Sequence, residues 1–452
     1  MDSSSSTKYD EELELSDSPR AGLLGGPDST SKFHDGDNHA SSRLTPLTSK
    51  QKAVSFMQFC SLCWALFLLG WIDGSTGPLL LRIQKVYDVG FASLTWIFVL
   101  SCGGIVFGAL VNMPLIDKYG FGKMLLVSSV LWMVSFCMQS LALPYPLFVL
   151  SFAISGMGTA LADSLANGFV ALLQRDGDKK MGLLHAAYGA GALVAPLSAT
   201  HFAQVPSWSH HYLISLALGI ANCLALTLVF QLKDQDTNLV RGGEVIPDKI
   251  DTAEGNKYSQ LFRLKALHLL TLFFVIYIGV EVTIGGWIVT FMTVERGGGP
   301  SSGYVASGYW GGLTAGRLLL IWVTERLGKS HALYVYISIT IVLQFVVWLI
   351  PSFITGAIAV SLIGVFLGPM YPVAISYTPL ILPRSLVNGA IGWITAVGAT
   401  GSALLPFLTG QIANKYGIGI MQPFLVVMMV IMLGCWALVP KAAPATDVDE
   451  DQ

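Results

Sequence analysis

Twelve apolar stretches determine what this chain can fold into, because each is long enough to cross the hydrocarbon core of a bilayer as a helix. They recur along a chain of 452 residues, of which only 12% are charged, against about 25% in soluble domains. The sequence therefore predicts an all-α membrane protein with twelve transmembrane helices. The predicted spans lie near residues 55–81, 91–115, 122–143, 146–173, 184–204, 211–232, 265–292, 303–323, 331–351, 354–377, 387–411 and 421–440.

The distribution of basic residues orients these spans. An even number of spans places both termini on one side of the membrane. Of the 26 Lys and Arg residues, Arg317 lies inside a span, and the loops opposite the termini contain only Arg82, Lys85, Arg296 and Lys415. Because Lys and Arg accumulate in cytoplasmic loops, both termini are expected in the cytoplasm. We expect the plasma membrane rather than an internal membrane.

Polar segments divide the chain into regions. Residues 1–52 are rich in Ser and charged residues and have no apolar core of a signal peptide, so they predict a disordered cytoplasmic tail. Residues 233–262 form a polar linker, which separates six-span halves at 53–232 and 263–440. Residues 441–452 predict an acidic cytoplasmic tail.

An internal repeat relates the two halves. GGIVFGALVNMPLIDKYG (103–120) and GGLTAGRLLLIWVTERLG (311–328) align without a gap at an offset of 208. The same offset relates Asp73 to Glu281, and an offset of 210 relates GALVAP (191–196) to GSALLP (401–406). Two homologous six-helix halves are the usual construction of secondary transporters.

The repeated positions predict helix packing and gating. Gly104 and Gly108 are one turn apart and leave a flat face on which a neighbouring helix can approach closely. Pairs of an acidic and a basic residue then mark the helix ends and short turns at the cytoplasmic surface. The predicted gating and packing residues are Gly104, Gly108, Asp117, Lys118, Gly312, Gly316, Glu325 and Arg326.

The motif LIDKYG (115–120) between spans two and three resembles the loop signature of the major facilitator superfamily. Gly122 and Lys123 stand where that signature has an Arg. GMGTALADSLAN (156–167) is similar to the fourth helix of the fucose/galactose/glucose:proton symporter branch, where an acid precedes an Asn by four. Three other segments resemble fungal members of the bypass-of-stop-codon type: GWIDGSTGPLL (70–80), LHAAYGAGALVAP (184–196) and GVEVTIGGWIVTF (279–291). The resemblance covers residues 55–440 and implies the major facilitator fold.

Asp163 is the first candidate for proton coupling. Together with Ser155, Thr159 and Asn167 it lies on one helix face of span four, and a carboxylate at that depth is costly without a partner or a task. The resembled branch uses the matching acid in proton coupling. The alternative is an acid that a neighbouring helix satisfies and that binds nothing.

Asp73 and Glu281 are the other candidates for proton coupling. The segment from Gly74 to Pro78 predicts a loosened helix after Asp73, and such backbone is tolerated only where it lines a cavity. Asp73 could instead cap a broken helix. The resembled branch also has an acid in this helix, about one turn away. Glu281 is the repeat partner of Asp73.

Arg317 is the basic residue within the predicted spans and a candidate for substrate binding. It could bind the substrate, or it could form an ion pair with Glu281 or Asp163. Trp71 and Trp287 lie near the acids and could stack on a sugar, although tryptophans also pack at membrane interfaces. His185 is either a helix-end residue or a proton relay. The predicted substrate-binding residues are Trp71, Thr159, Asn167, Tyr277, Trp287 and Arg317.

These features predict a secondary transporter of a small polar, sugar-like solute, coupled to protons and working by alternating access. An exporter of a secondary metabolite or drug-like compound is the alternative. The sequence has no G-x-x-x-x-G-K-[ST] loop for ATP and no H-E-x-x-H metal motif. We therefore expect neither an ATP-driven pump nor an enzyme, and we expect no cofactor. A channel fits the acids in both halves less well than a transporter does. A receptor built on a transporter scaffold would ordinarily have a longer structured cytoplasmic extension than this short tail. The expected partners are the substrate, the proton and the lipid bilayer, with no nucleic acid, and the chain is expected to be a monomer.

Overall fold

The computed structural model describes residues 46–244, 257–383 and 386–441. Most of the predicted N-terminal tail, the middle of the linker and the acidic C-terminal tail lie outside these residues. Within them every regular element is a helix.

Twelve helical spans form the bundle, and we number them in chain order. Shorter helices cover Phe91–Leu94, Gln235–Arg241 and Lys257–Phe262, and single 3-10 turns cover Trp208–His210, Pro300–Gly303 and Ile418–Ile420. The spans are Ser49–Tyr87 (span 1), Trp96–Tyr119 (span 2), Phe121–Ser140 (span 3), Tyr145–Ala171 (span 4), Gly177–Ala203 (span 5), His211–Phe230 (span 6), Lys265–Val294 (span 7), Tyr304–Leu319 with Ile321–Leu327 (span 8), Lys329–Leu349 (span 9), Phe353–Leu367 with Met370–Ile381 (span 10), Val387–Gly398 with Gly401–Tyr416 (span 11) and Met421–Leu438 (span 12).

The predicted all-α membrane architecture is confirmed. Among the described residues, eleven of these segments are long and apolar enough to cross a membrane by length and composition. Span 8 is the remaining one. It contains Arg317 and is interrupted at Leu320, which accounts for its weaker apolar signal.

Span 1 differs from the prediction. It is one continuous helix of 39 residues that includes Pro78, so the expected break after Asp73 is wrong. The small residues serve close packing instead: a Cβ atom at Gly74 would meet the backbone of Ala192, and one at Gly77 would meet the carbonyl of Gly285. The glycines therefore bring span 1 against span 5 of its own half and span 7 of the other half.

The sequence repeat is also a repeat of helix contacts. A Cβ atom at Gly104 would meet the carbonyl oxygen of Ala153, and one at Gly312 would meet that of Ser361. The contacted residues are again 208 positions apart, and the same holds for three more sets of contacts. These are Gly108 on Met157 with Gly316 on Val365, Gly156 on Ser101 with Gly364 on Tyr309, and Gly191 on Phe67 with Gly401 on Val275. The two halves therefore pack their spans in the same register.

The repeated charged pairs lie at helix ends, as predicted. Gly120 directly follows span 2 and Gly328 directly follows span 8, and both have a positive φ (84° and 75°) that favours glycine. The preceding bases rest on neighbouring rings: Lys118 Nζ is 5.2 Å from the ring centroid of Tyr119, and Arg326 Cζ is 3.7 Å from that of Trp322. A gating role for these residues stays a prediction.

The halves are joined at one end of the bundle. We call the end at which span 1 begins the terminal face, and the other end the opposite face. At the opposite face Gln411 Nε2 donates to the carbonyl of Ala92 and to Thr95 Oγ1, each over 3.3 Å. Gln204 Nε2 donates to the carbonyl of Pro300 over 3.1 Å. Spans 2 and 5 are thus tied to the other half at this face.

Gly104→Ala is expected to lower the thermal unfolding midpoint in detergent, because its Cβ would collide with backbone that cannot rotate away. Overpacking of this kind costs about 1–3 kcal/mol. Gly103→Ala is the matched control, since a Cβ there has nothing within 4 Å. Equal losses at both positions would contradict this explanation.

Candidate functional site

Arg317 is paired with an acid of its own half. Its Nη2 lies 3.7 Å from Glu281 Oε1, and the two side chains are only 20% and 12% exposed. Arg317 Nε also donates to the carbonyl of Gly368 over 3.3 Å. Of the two partners that the sequence left open, Glu281 is the one in ion-pair distance, and span 10 holds the guanidinium in place.

Tyrosines surround this ion pair. Tyr309 donates its hydroxyl to the carbonyl of Glu281 over 3.0 Å. Tyr277 donates to the carbonyl of Leu367 over 3.1 Å and lies within electrostatic range of Glu281 and Arg317. The predicted residue Tyr277 therefore belongs to the surroundings of the ion pair.

Asp73, an acid of the N-terminal half, lies near the Arg317–Glu281 pair. Its Oδ2 accepts a hydrogen bond of 2.9 Å from Tyr188 Oη, and the carboxylate is within electrostatic range of Glu281 and Asp163. Arg317 Cζ lies 5.9 Å from the centroid of the Tyr188 ring. Tyr188 thus contacts the acid of one half and the base of the other.

Asp163 completes the group of acids. Asn167 Nδ2 donates to Asp163 Oδ1 over 2.8 Å and to its carbonyl over 2.9 Å. Asp163 forms no ion pair with any described residue. Tyr371 of span 10 is within electrostatic range of Asp163, Glu281 and Arg317. Asp163 is therefore linked to the group through Asp73 and Tyr371, and of the three acids only Glu281 forms an ion pair with Arg317.

Water reaches part of this cluster. Asp73 is exposed although it is bonded to span 5, and His185 is exposed although it lies within electrostatic range of Arg317. Because both side chains are exposed and yet interact with polar groups of other spans, we infer that they line a cavity between the spans. His185 lies two turns into span 5, which begins at Gly177. Its predicted position at a helix end is therefore wrong.

Three predicted substrate-binding side chains are turned away from the acids. Trp71 Nε1 donates to Ser215 Oγ over 2.8 Å, and Thr159 Oγ1 accepts from Trp132 Nε1 over 3.2 Å. Trp287 is fully buried among residues of spans 2 and 11. In this conformation these side chains contact protein groups outside the cluster.

Sequence reasoning missed two groups of residues. Tyr188 and Tyr371 were not singled out, although Tyr188 follows His185 by three residues, which places both on one face of span 5. His211 was also missed. It is fully buried, and its ring nitrogens lie 2.8 Å from Ser75 Oγ and 3.1 Å from Ser198 Oγ. The tandem histidines at the start of span 6 were the available signal for it.

Known proteins are similar to this chain in sequence and in fold. The chain is 27% identical over 408 residues to bypass of stop codon protein 6 of Saccharomyces cerevisiae, covering 84% of this chain and 82% of the relative. It is 22% identical over 373 residues to a glucose/mannose transporter of Bacillus subtilis, covering 81% and 91% of the two chains. The crystal structure of the E. coli fucose:proton symporter superposes with a TM-score of 0.58 at 16% identity and covers 86% of this chain and 99% of that one.

The sequence pattern of the Major Facilitator Superfamily matches residues 62–406. The match includes the two loop signatures, the glycine contacts of both halves and all four charged residues of the cluster. The resemblance that the LIDKYG motif indicated is therefore confirmed. The chain belongs to the Major Facilitator Superfamily.

Proposed function

We propose that this protein is a proton-coupled transporter of a hexose-like sugar that works by alternating access, with both termini in the cytoplasm. The observation that carries the proposal is the meeting of Asp73 with the Arg317–Glu281 pair on either side of Tyr188, in an interior that water reaches. Such charged groups from both halves are expected where a transporter binds its substrate and coupling ion. The glucose/mannose transporter and the fucose:proton symporter among the similar proteins support the sugar and the proton.

The three acids differ in their partners, and this difference determines which of them can carry the coupling proton. Glu281 is neutralised by Arg317, whereas Asp73 and Asp163 have hydrogen bonds but no ion pair with a described base. A carboxylate at membrane depth without a counter-charge is costly, and binding a proton removes that cost. Asp73 and Asp163 are therefore the groups that carry the coupling proton while the binding site changes sides.

Polar groups that face the acids bind the sugar. Arg317 and Asn167 provide N–H donors, and the hydroxyls of Tyr188 and Tyr371 can accept or donate. A neutral polyhydroxy solute matches such a mixed set, because each hydroxyl can pair with either kind of group. The contacts at the opposite face and the exposure of His185 support a conformation that is open to the terminal face.

Purified protein in proteoliposomes tests the function directly. Uptake of radiolabelled D-glucose, D-mannose, D-galactose and L-fucose is measured with an imposed pH gradient, with a sodium gradient and with neither. We expect accumulation of at least one hexose with the pH gradient alone. Accumulation with sodium alone would replace the proton by sodium as the coupling ion. Failure of every hexose to exchange or accumulate would refute the proposed substrate class.

The double variant Gln411→Ala/Asn414→Ala is expected to shift the protein toward a conformation open at the opposite face. Gln411 donates to Ala92 and Thr95, and Asn414 Oδ1 accepts from Ala92 N over 3.5 Å. Loss of about 1 kcal/mol per hydrogen bond would raise the open population several-fold. Labelling of Phe98→Cys by an impermeant maleimide added at that face measures the shift.

A matched double variant controls for general loosening of that face. Gln344→Ala/Gln422→Ala removes a buried side-chain pair within the C-terminal half. Faster labelling in this control as well would contradict a specific gate.

A further inference from the structure

Span 7 carries a row of polar side chains that the cluster of acids does not use. Thr283, Trp287 and Thr290 follow each other at spacings of four and three and share one helix face. Their exposed fractions are 0%, 0% and 1%. Thr283 Oγ1, Trp287 Nε1 and Thr290 Oγ1 have no hydrogen-bond partner within the described chain, and the same is true of Thr409 Oγ1 of span 11, which is also 0% exposed.

These hydroxyls depart from what other threonines of the same helix do. A helical threonine commonly donates to the carbonyl four residues earlier. Thr271 Oγ1 does so to Leu267 over 2.7 Å, and Thr293 Oγ1 does so to Val289 over 2.8 Å. Buried polar groups are rarely left without a partner. Four of them in neighbouring spans indicate that another conformation provides the partners.

Residues of the N-terminal half cover Trp287, the middle residue of the row. The Trp287 ring lies 5.8 Å from that of Phe91 and 6.0 Å from that of Phe98. A Cβ atom at the neighbouring Gly286 would lie 2.6 Å from Phe98, and one at Gly410 would lie 3.0 Å from the indole of Trp287. Phe91 and Phe98 belong to the segment that Gln411 and Asn414 hold at the opposite face. Separation of the halves at that face would uncover the row.

We propose that Thr283, Trp287, Thr290 and Thr409 form the polar wall of the cavity that opens to the opposite face, and that they bind sugar hydroxyls there. This inference rests on the proposed alternating access and sugar transport. The indole N–H can only donate, whereas each threonine hydroxyl donates or accepts. None of the four groups is charged, so this wall recognises a neutral polyhydroxy solute before it meets the charged cluster near Arg317.

Cysteine accessibility tests the position of the wall without any substrate. Thr290→Cys is placed in the parent and in the Gln411→Ala/Asn414→Ala background, and an impermeant maleimide is added at the opposite face. Labelling at residue 290, followed by mass spectrometry, is expected to be at least several-fold faster in the second background. Thr271→Cys, on the same span near the terminal face, should remain unlabelled in both.

Phe98→Cys separates the two ways in which this test can fail. Labelling of Phe98→Cys without labelling of Thr290→Cys would overturn the wall. Absence of labelling at both positions, in both backgrounds, would overturn the alternating access on which the wall rests.

Sidedness of sugar affinity tests recognition, with D-glucose as the probe. Trp287→Phe keeps a large ring and removes only the N–H donor, and Thr290→Val keeps the shape and removes the hydroxyl. We expect each to raise the half-saturating D-glucose concentration at the opposite face about five- to tenfold, as for a lost hydrogen bond, and to leave it unchanged at the terminal face. Trp436→Phe is the control, because its N–H already donates to the carbonyl of Ser330. Equal changes at both faces, or none, would overturn the recognition role.

Discussion

Arg317→Gln is expected to destabilise the folded protein by about 3–5 kcal/mol, because it leaves the carboxylate of Glu281 buried without its partner. Glu281 is only 12% exposed, and its side chain lies 3.7 Å from the guanidinium. The same change removes the cation beside Tyr188 and the donor to Gly368. The measurement is the thermal unfolding midpoint in detergent, together with sugar accumulation in proteoliposomes.

The double variant Glu281→Gln/Arg317→Gln separates a structural pair from a functional one. Removing both charges is expected to restore the stability, because replacing a whole buried pair is often neutral. We expect accumulation to stay at least tenfold below the parent, because Arg317 also adjoins the residue that holds Asp73. Recovery of both stability and accumulation would assign the pair a structural role only. Arg296→Gln is the control: its Nη2 donates to carbonyls at the opposite face, each over 2.8 Å, and transport should survive.

The packing of the two halves could be predicted from the sequence because close helix contacts require glycine at particular positions. Where helices approach within backbone contact only a small residue fits, so Gly104 and Gly312 stand at equivalent positions of the repeat. The length of each apolar stretch likewise predicts a span directly. Both features depend on local residue type, which a single sequence provides.

The course of span 1 could not be predicted in the same way. Gly74, Gly77 and Pro78 are typical of a broken helix, but they are also typical of a helix that other helices approach closely. Only the positions of Ala192 and Gly285 decide between these two interpretations. They depend on the packing of spans 5 and 7, which no local pattern in span 1 contains.

The partners within the site were equally hidden. The sequence indicated that Asp73, Asp163, Glu281 and Arg317 needed partners, but it did not identify Tyr188 or Tyr371 among them. The hydrogen bond from Tyr188 to Asp73 depends on the rotation of span 5 relative to span 1. The burial of Trp287 depends on residues of the other half, which cover it at the opposite face.

Asp163→Asn is expected to abolish sugar accumulation against a gradient while sugar exchange across the membrane persists. The variant imitates the protonated acid at similar volume and can keep a hydrogen bond with Asn167, which now contacts Asp163 Oδ1 over 2.8 Å. Folding should survive, because a charge at membrane depth without a described ion-pair partner has been removed. Exchange needs only the loaded protein to change sides, and the neutral form is the one that does so. Uphill transport needs the proton to leave, and an amide cannot release one in this way.

Exchange and accumulation are measured with the same proteoliposomes, the first with equal sugar on both sides and the second with an imposed pH gradient. Asp236→Asn is the control, since this acid is exposed on the short helix Gln235–Arg241, outside the spans, and both activities should remain. If Asp163→Asn still concentrates sugar, the proton is carried elsewhere, and Asp73, which is bonded to Tyr188 in the water-reached interior, becomes the coupling acid. If exchange is lost as well, Asp163 contacts the substrate or holds span 4 in place. Asn167→Ala then decides between these roles, because loss of affinity without loss of the thermal unfolding midpoint would assign both residues to sugar binding.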